Sequence, residues 1–388
     1  MFDFTTVPER RGSDSIKWSG PKSQLPMWIA DMDFQTAPAV IDALQQKVAT
    51  GIFGYEEPPR AYFQAVSDWY ESRHHAPIPS AWQLFATGVI PALSASLRRV
   101  TNAGDSVVVQ TPVYNMFFNA IENAGRHVLP AELAYDHSTH TYHIDWQALE
   151  TALADSLTSA MILCNPHNPI GQVWTRDELT RMATLCNQYG VTLFADEIHG
   201  DLTLNDQQYT PTFTLADNLR KHLITLVSPS KAFNLAGIHG ATVIVSDPTL
   251  RANIARGLSV YQVSEPNLTA IPATIAAYTK GADWFEALLH QLNENVETVR
   301  KFDLREAIVT PASATYLLWV DVSAYTHDSA MLTAFLESEV GLKLNAGSDY
   351  RGNGHDFVRL NVACPPTLLQ EGLSRLQHGL DLFSAQQS

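Results

Sequence analysis

The sequence predicts an α/β protein with a mainly parallel central sheet, helices on both faces, and a smaller α+β domain. Three observations carry that reading. Short β-rich apolar runs alternate with amphipathic helical patterns through the middle of the chain, which is the signature of strands joined by helical crossovers. From about residue 282 the character changes to a long helix, strands near 315–321 and 357–362, and a final helix from about 366. At 388 residues the chain is also too long for one simple core.

In chain order, "PAVIDALQQKVA" (38–49) has helical periodicity with proline in its first turn, where the missing N–H costs nothing. "WQLFATG" followed by "VIPALSASLRRVT" reads as strand, glycine turn and helix over 82–101. "DSVVVQTP" (105–112) is a buried strand closed by a proline. "TSAMILCNP" (158–166), "VTLFADE" (191–197), "LITLVSPS" (223–230) and "GATVIVS" (240–246) are further β-rich runs. Thr175 and Glu178 have the spacing of a capping box for an intervening helix.

Composition narrows the function. Hydrophobic residues at 45% with 17% charged describe a globular chain. The formal net charge of −15, with no run of five basic residues, disfavours nucleic acid as a partner. No apolar run reaches the roughly 18–20 residues that span a membrane. "MFDFTTVPERRGSDSIKW" lacks the basic and apolar regions of a signal peptide, and Cys164, Cys186 and Cys364 form no C-x-x-C. A reducing, cytoplasmic setting is expected. Neither G-x-G-x-x-G nor G-x-x-x-x-G-K-[ST] occurs, which argues against dinucleotide and P-loop sites. "DHSTHTYH" spaces His137, His140 and His143 by three, but its Ser, Thr and Tyr content suits an exposed loop or strand, so no metal site is expected.

The chemistry is concentrated at strand ends, where open parallel sheets place ligand groups. The residues just past each run are Gly88, Tyr114, Asn165–Asn168, Asp196–His199 and Ser228–Lys231. In "SPSKAFNLAG" a lysine follows a buried strand and two serines. Such a lysine either snorkels to water or is held neutral enough to act as a nucleophile. One lysine, one buried acid, an asparagine, an aromatic and a glycine opening a helix form the inventory of a pyridoxal phosphate site.

"CNPHNPIGQVWT", "DEIH" and "SPSKAFNLAG", in that order, resemble the fold-type I pyridoxal-phosphate enzymes. "LPMWIADMDF", "IFGYEEP" and "RLNVACPP" narrow the likeness to the MalY/PatB-like cystathionine β-lyase (C–S lyase) branch, over about residues 10–380. The resemblance implies that Lys231 holds the cofactor covalently and moves the substrate's Cα proton, and that Asp196 pairs with the pyridinium nitrogen. It makes Tyr114 the ring-stacking aromatic of the catalytic set. Asn168 and His199 would contact the ring's phenolic oxygen. Backbone N–H groups after Gly88, at Val89 and Ile90, would bind the phosphate, with hydroxyls of Ser228, Ser230 and a neighbouring subunit's Tyr55. Arg359 would grip the substrate carboxylate, bordered by Ala30, Asn168 and Tyr55. Two positions depart from the aminotransferase pattern. His239 stands eight residues after the lysine, where many aminotransferases carry a phosphate-binding arginine, and Thr87 replaces a common proline before Gly88.

The expected activity is therefore α,β-elimination from cystathionine or a related sulfur amino acid, giving a thiol, pyruvate and ammonia, in a homodimer. Transamination is the alternative, and a catalytically idle protein of the same fold acting through protein contacts is the second. The expected division is an N-terminal segment (1–44) joining the small domain, a large cofactor-binding domain (45–284) and a C-terminal small domain (285–388).

Overall fold

The computed structural model describes residues 2–387. In chain order the elements are β1 (Leu25–Pro26), α1 (Pro38–Ala49), α2 (Arg60–His74), β2 (Gln83–Ala86), α3 (Val89–Val100), β3 (Ser106–Val109), α4 (Met116–Glu122), β4 (His127–Pro130), β5 (Ala134–Asp136), β6 (Thr141–His143), α5 (Trp146–Leu153), β7 (Thr158–Cys164), α6 (Arg176–Tyr189), β8 (Thr192–Asp196), β9 (Leu223–Val227) and β10 (Ala241–Ile244). There follow α7 (Pro248–Val260), α8 (Ala270–Lys280), α9 (Ala282–Lys301), β11 (Ile308–Val309), β12 (Leu317–Asp321), α10 (Ser329–Glu339), β13 (Leu342–Lys343), β14 (Asn345–Ala346), β15 (Phe357–Asn361) and α11 (Pro366–Gln387).

The central sheet has seven strands in the order β2-β10-β9-β8-β7-β3-β4. Strands β4, β3, β7, β8 and β9 are parallel, and β10 runs antiparallel to both its neighbours. That reversal follows from the short link 228–240, which holds only a single 3-10 turn (Ala236–Ile238), since a parallel partner needs a long crossover. The link is also the segment that carries Lys231. Alternation along the strands divides the core in two. Val108, Met161, Leu163, Leu193 and Ala195 pack with α5 and α6 residues such as Leu149, Leu179 and Met182. Val107, Val109, Ile162, Phe194, Ile224 and Leu226 face Leu93 and Leu97 of α3 and Ile254 of α7. Cover on both faces explains why these strands read as unbroken apolar runs.

Local signals behave as their chemistry dictates. Thr175 Oγ1 accepts from the Glu178 N–H at 3.2 Å while Glu178 Oε2 accepts from the Thr175 N–H at 2.8 Å, closing the capping box that starts α6. Residues 134–143 form a hairpin, in which the Tyr135 hydroxyl meets His140 Nδ1 at 3.0 Å and His143 Nε2 meets Thr141. Among the described residues there is no cluster able to hold a metal ion, and no helix long and apolar enough to cross a membrane.

The small domain is an antiparallel sheet, β11-β12-β15-β14, backed by α10 and α11. The N-terminal segment joins it through parallel pairing of β1 with β13. The junctions expected at 44/45 and 284/285 fall within helices α1 and α9. Gly347 lies where the small-domain backbone folds back on itself. A Cβ there would collide with the carbonyls of Gly354 and Phe357, neither of which can swing aside as a side chain can. Gly347→Ala is expected to cost about 1–3 kcal/mol of stability, read as a lowered Tm with unchanged secondary structure by circular dichroism.

Candidate active site

Five strand ends, those of β2, β3, β7, β8 and β9, converge on a cavity of about 270 Å³. Its lining includes Ala30, Gly88, Val89, Ile90, Tyr114, Asn168, Asp196, His199, Ser228, Ser230 and Lys231. The turns that deliver them begin where the ladders stop: Asn168 after β7, Asp196 as the last residue of β8, and Ser228–Lys231 after β9. Arg359 arrives from β15 and donates through Nη1 to Asn168 Oδ1 at 3.1 Å, which places it at the same site.

Burial sets the protonation of the central groups. Lys231 Nζ donates to the Ala30 carbonyl at 2.7 Å. Desolvation, helped by the Arg359 charge, pushes its pKa down to about 8 against the pull of Asp31 and Asp196. Asp196 is buried and accepts from the Ile198 N–H at 3.1 Å. Desolvation raises it to about 7, opposed by that bond and by the Lys231 charge. His199 is buried, its Nδ1 has no partner among the described residues, and desolvation with the nearby Lys231 and Arg359 charges takes it down to about 3. It is therefore a neutral imidazole facing the cavity. Burial also raises the Tyr114 phenol, so it stays neutral.

Arg359 is a buried cation with no carboxylate partner among the described residues. Its Nη2 donates to the Trp28 carbonyl and to Asn345 Oδ1, each at 2.8 Å, while Nε is buried without a partner. An unspent donor on an unneutralised guanidinium suits an incoming carboxylate. At the opposite end, α3 starts at Gly88 with no side-chain cap, leaving the first N–H groups of the helix open to an anion. Gly88 has φ +150°, which only glycine adopts freely. Ser228 Oγ donates to the Gly240 carbonyl at 2.6 Å and accepts from the Ser230 N–H at 3.1 Å. Its hydroxyl proton therefore braces the lysine loop. His239, exposed and in the left-handed region, lines this same end.

Of the sequence-assigned residues, Arg359 joins the site through Asn168 without lining the cavity, and Tyr55 lies away from it. Tyr55 is fully exposed on the segment between α1 and α2, beside exposed Ile52 and Phe53. Other residues belong to the site without having been assigned. Cys164 lines the cavity, its thiol kept protonated by burial. Glu197 is buried and raised to about 7 by burial. Its carboxylate accepts from Asn165 Nδ2 at 3.0 Å, the Thr212 N–H at 2.9 Å and the Tyr209 hydroxyl, which ties the turn after β8 to the turn after β7. Tyr316 donates its hydroxyl to the Ala30 carbonyl at 3.1 Å. The neighbouring acid in "DEIH" was a readable signal for Glu197; Tyr316 had none.

A lysine held below its ordinary range, a buried carboxylate, an anion-ready helix start and an arginine without a carboxylate partner at one site define an enzyme acting on a small carboxylate-bearing molecule. The chain belongs to the aminotransferase class I and II family, whose model matches residues 23–376. It is 36% identical to the cystathionine β-lyase PatB of Bacillus subtilis over 97% of this chain and 100% of that protein. It is 35% identical to protein MalY of Escherichia coli, covering 97% and 98%. Among solved structures it is similar to cystalysin from Treponema denticola, which contains pyridoxal 5′-phosphate, with a TM-score of 0.94, 29% identity and coverage of 98% and 99%.

Asp196 carries a cost in the cofactor-free chain. Its pKa is 3.8 in an ordinary setting and about 7 in the fold, so the fold favours the protonated form. Stability is therefore lost as pH rises from about 4 to about 7, and the loss is constant above that. Asp196→Asn keeps an acceptor for the Ile198 N–H without the charge. The cofactor-free variant is expected to be more stable than the parent at pH 8 by roughly 2–4 kcal/mol, and no more stable near pH 4. Denaturant unfolding at the two pH values measures this.

Proposed function

We infer that the chain is a pyridoxal-5′-phosphate-dependent carbon–sulfur lyase of the cystathionine β-lyase type. It would split L-cystathionine or a related sulfur amino acid into a thiol, pyruvate and ammonia. The observation that carries this is Lys231 and Asp196 facing one cavity, with the uncommitted guanidinium of Arg359 beside them. The relative named for this activity, PatB, aligns with 97% of the chain over its own full length.

The residues present fit the cofactor. Lys231 would hold it covalently, Asp196 its ring nitrogen, Tyr114 its ring face, and Asn168 and His199 its phenolic oxygen. The open N–H groups of Val89 and Ile90 after Gly88, with Ser230 and His239, would hold its phosphate, and Ser228 would act through the loop it braces, since its proton is given to the Gly240 carbonyl. When bound, pyridoxal phosphate supplies an electron-withdrawing ring that accepts the charge left at the substrate's Cα. The chain's own groups do the rest. Arg359 orients the substrate through its carboxylate, with Ala30 and Asn168 bordering the group. Lys231, near neutrality, takes the Cα proton at Nζ. Asp196 supplies the negative charge that keeps the ring nitrogen protonated. The C–S bond breaks with its electron pair going to sulfur, and the three-carbon remainder hydrolyses to pyruvate and ammonia.

Lys231→Ala should abolish the borohydride-stable link to the cofactor and reduce kcat by about 10³-fold or more. Peptide mapping that puts the link on another lysine overturns the assignment. Arg359→Lys keeps the charge and loses the two-pronged fit, so kcat/KM should fall about 100-fold, mainly through KM. The purified protein should release pyruvate and free thiol from thioether amino acids with no keto-acid acceptor present. Product that appears only with an acceptor would make transamination, the other chemistry of this family, the reading.

A homodimer in which Tyr55 serves the partner subunit's phosphate is part of the proposal. The full exposure of Tyr55 together with Ile52 and Phe53 supports it, because such apolar surface is ordinarily covered. Mixing a Tyr55→Phe chain with a Lys231→Ala chain tests it, provided subunits exchange. Random pairing makes half the dimers mixed, so about one quarter of all sites should regain activity at limiting cofactor. No recovery despite proven exchange would place Tyr55 within its own chain.

A further inference from the structure

The strap at residues 28–34 carries an unusual set of bonds. It is irregular backbone between β1 and α1, and its carbonyls are taken by side chains from two sequence motifs. From "RLN", Arg359 donates to the Trp28 carbonyl at 2.8 Å, and Asn361 Nδ2 donates to the carbonyls of Ile29 and Asp31 at 2.7 and 2.8 Å. From "KAFN", Lys231 donates to the Ala30 carbonyl at 2.7 Å, and Asn234 Nδ2 donates to the carbonyls of Met32 and Phe34 at 3.1 and 2.9 Å. Asn234 Oδ1 accepts the Met32 N–H at 3.0 Å in return. Both asparagines therefore spend their amide N–H groups on this one segment, while Asn361 Oδ1 accepts the Ala363 N–H at 2.8 Å. The far side of the strap is pinned by Lys17, which is buried and reaches Asp33 at 2.8 Å and the Asp31 carbonyl at 3.0 Å.

We propose that Asn234 and Asn361 are positioning residues for Lys231, acting through the strap, whose Ala30 carbonyl docks the lysine amine and whose backbone walls it from water. The geometry leaves them little else to do. Neither lines the cavity, yet Asn361 grips the carbonyls on either side of the one that Lys231 touches, and Asn234 grips those of Met32 and Phe34 further along the strap. Docked on Ala30, the amine is enclosed by Asp196 and His199 from the end of β8, Arg359 on β15, Tyr316 at the start of β12, and Tyr114 after β3. Asp31 of the strap itself faces it too. Desolvation is the largest influence holding this lysine below its ordinary range. Freeing the strap admits water and leaves Asp196 and Arg359 on their own strands, with Asp31 alone among the charged neighbours moving with it. The amine then returns toward ordinary lysine behaviour, and less of it is neutral near pH 7.5.

The test uses the full-length chain stripped of cofactor. Pyridoxal phosphate is added as the probe for a fixed short time at a series of pH values, then trapped with borohydride. Modification of Lys231 is counted by peptide mass spectrometry in the parent, Asn234→Ala and Asn361→Ala. The parent's capture rate should rise with a midpoint near pH 8, where the amine loses its proton. Both variants should move that midpoint up by about one unit and slow capture at pH 7.5 by roughly 3–10-fold. An unmoved midpoint with only a lower Tm means the asparagines are structural, which overturns the inference.

Hydrogen exchange of Asp31, Met32 and Asp33 amides in cofactor-free Lys231→Ala gives a second readout that does not depend on the asparagine variants folding. Their exchange should quicken once the strap loses its lysine, and unchanged exchange also overturns the inference. The inference rests on the cofactor reading above, yet the two fail differently. Probe captured on another lysine rejects the cofactor assignment, whereas capture on Lys231 with an unmoved midpoint rejects the strap alone.

Discussion

Arg359 has to meet Asn168 for this protein to have a site at all. One residue sits in the middle of a small-domain strand and the other in a turn of the large domain, and 3.1 Å separates their bonded atoms. Of the residues that line the cavity only Ala30, in the strap, lies outside the large domain. Small-domain docking supplies the arginine and brings along the strap, because Arg359 and Asn361 hold strap carbonyls from the same strand. A buried guanidinium without a carboxylate is costly unless its donors are met. Here neutral oxygens of Asn168, Asn345 and Trp28 meet most of them, which keeps the positive charge available.

The ionisable groups around Lys231 follow from the same enclosure. Burial raises Asp196 and lowers Lys231 until the two values lie close together, so proton exchange between charged and neutral forms is cheap near neutral pH. His199 in the same wall is held neutral. These groups are poorly placed for stability and well placed for chemistry, a division common where function is concentrated.

Much of this was legible in the sequence because it is written in short range. Strand ends marked by Pro, Asn and Ser put Asn168, Asp196 and Lys231 at one edge of a sheet as soon as the strands were read as parallel. The capping box at Thr175 and Glu178 and the helix opening after Gly88 are equally local. What escaped depends on distance in the chain. The reversal of β10 is the exception, since the link 228–240 is too short for a parallel crossover, but apolar runs by themselves carry no direction. Tyr316 reaches Ala30 across 286 positions, and nothing near either residue announces the contact. Asn234 and Asn361 stood inside recognisable motifs, but their partner is a backbone segment and so leaves no side-chain pattern to read.

Helix α9 begins among the aromatics of the large domain and ends in the small one. Near its start Phe285 lies 5.4 Å from Phe233, which is two residues from Lys231, and Trp284 stacks on the same ring at 5.7 Å. Further along, Asn295 Nδ2 donates to the carbonyls of Val362 and Cys364, just beyond the strand that bears Arg359, at 2.8 Å each. The lysine loop and the arginine strand are thus mounted on the same rigid rod, ten residues or about 15 Å apart along its axis. A rod fastened at both ends resists twisting and sliding of one lobe on the other and yields mainly to bending. Substrate entry must then be admitted by the loops around the mouth, or by a slight flexing of α9, while the spacing between the residue that moves the proton and the residue that holds the carboxylate is preserved.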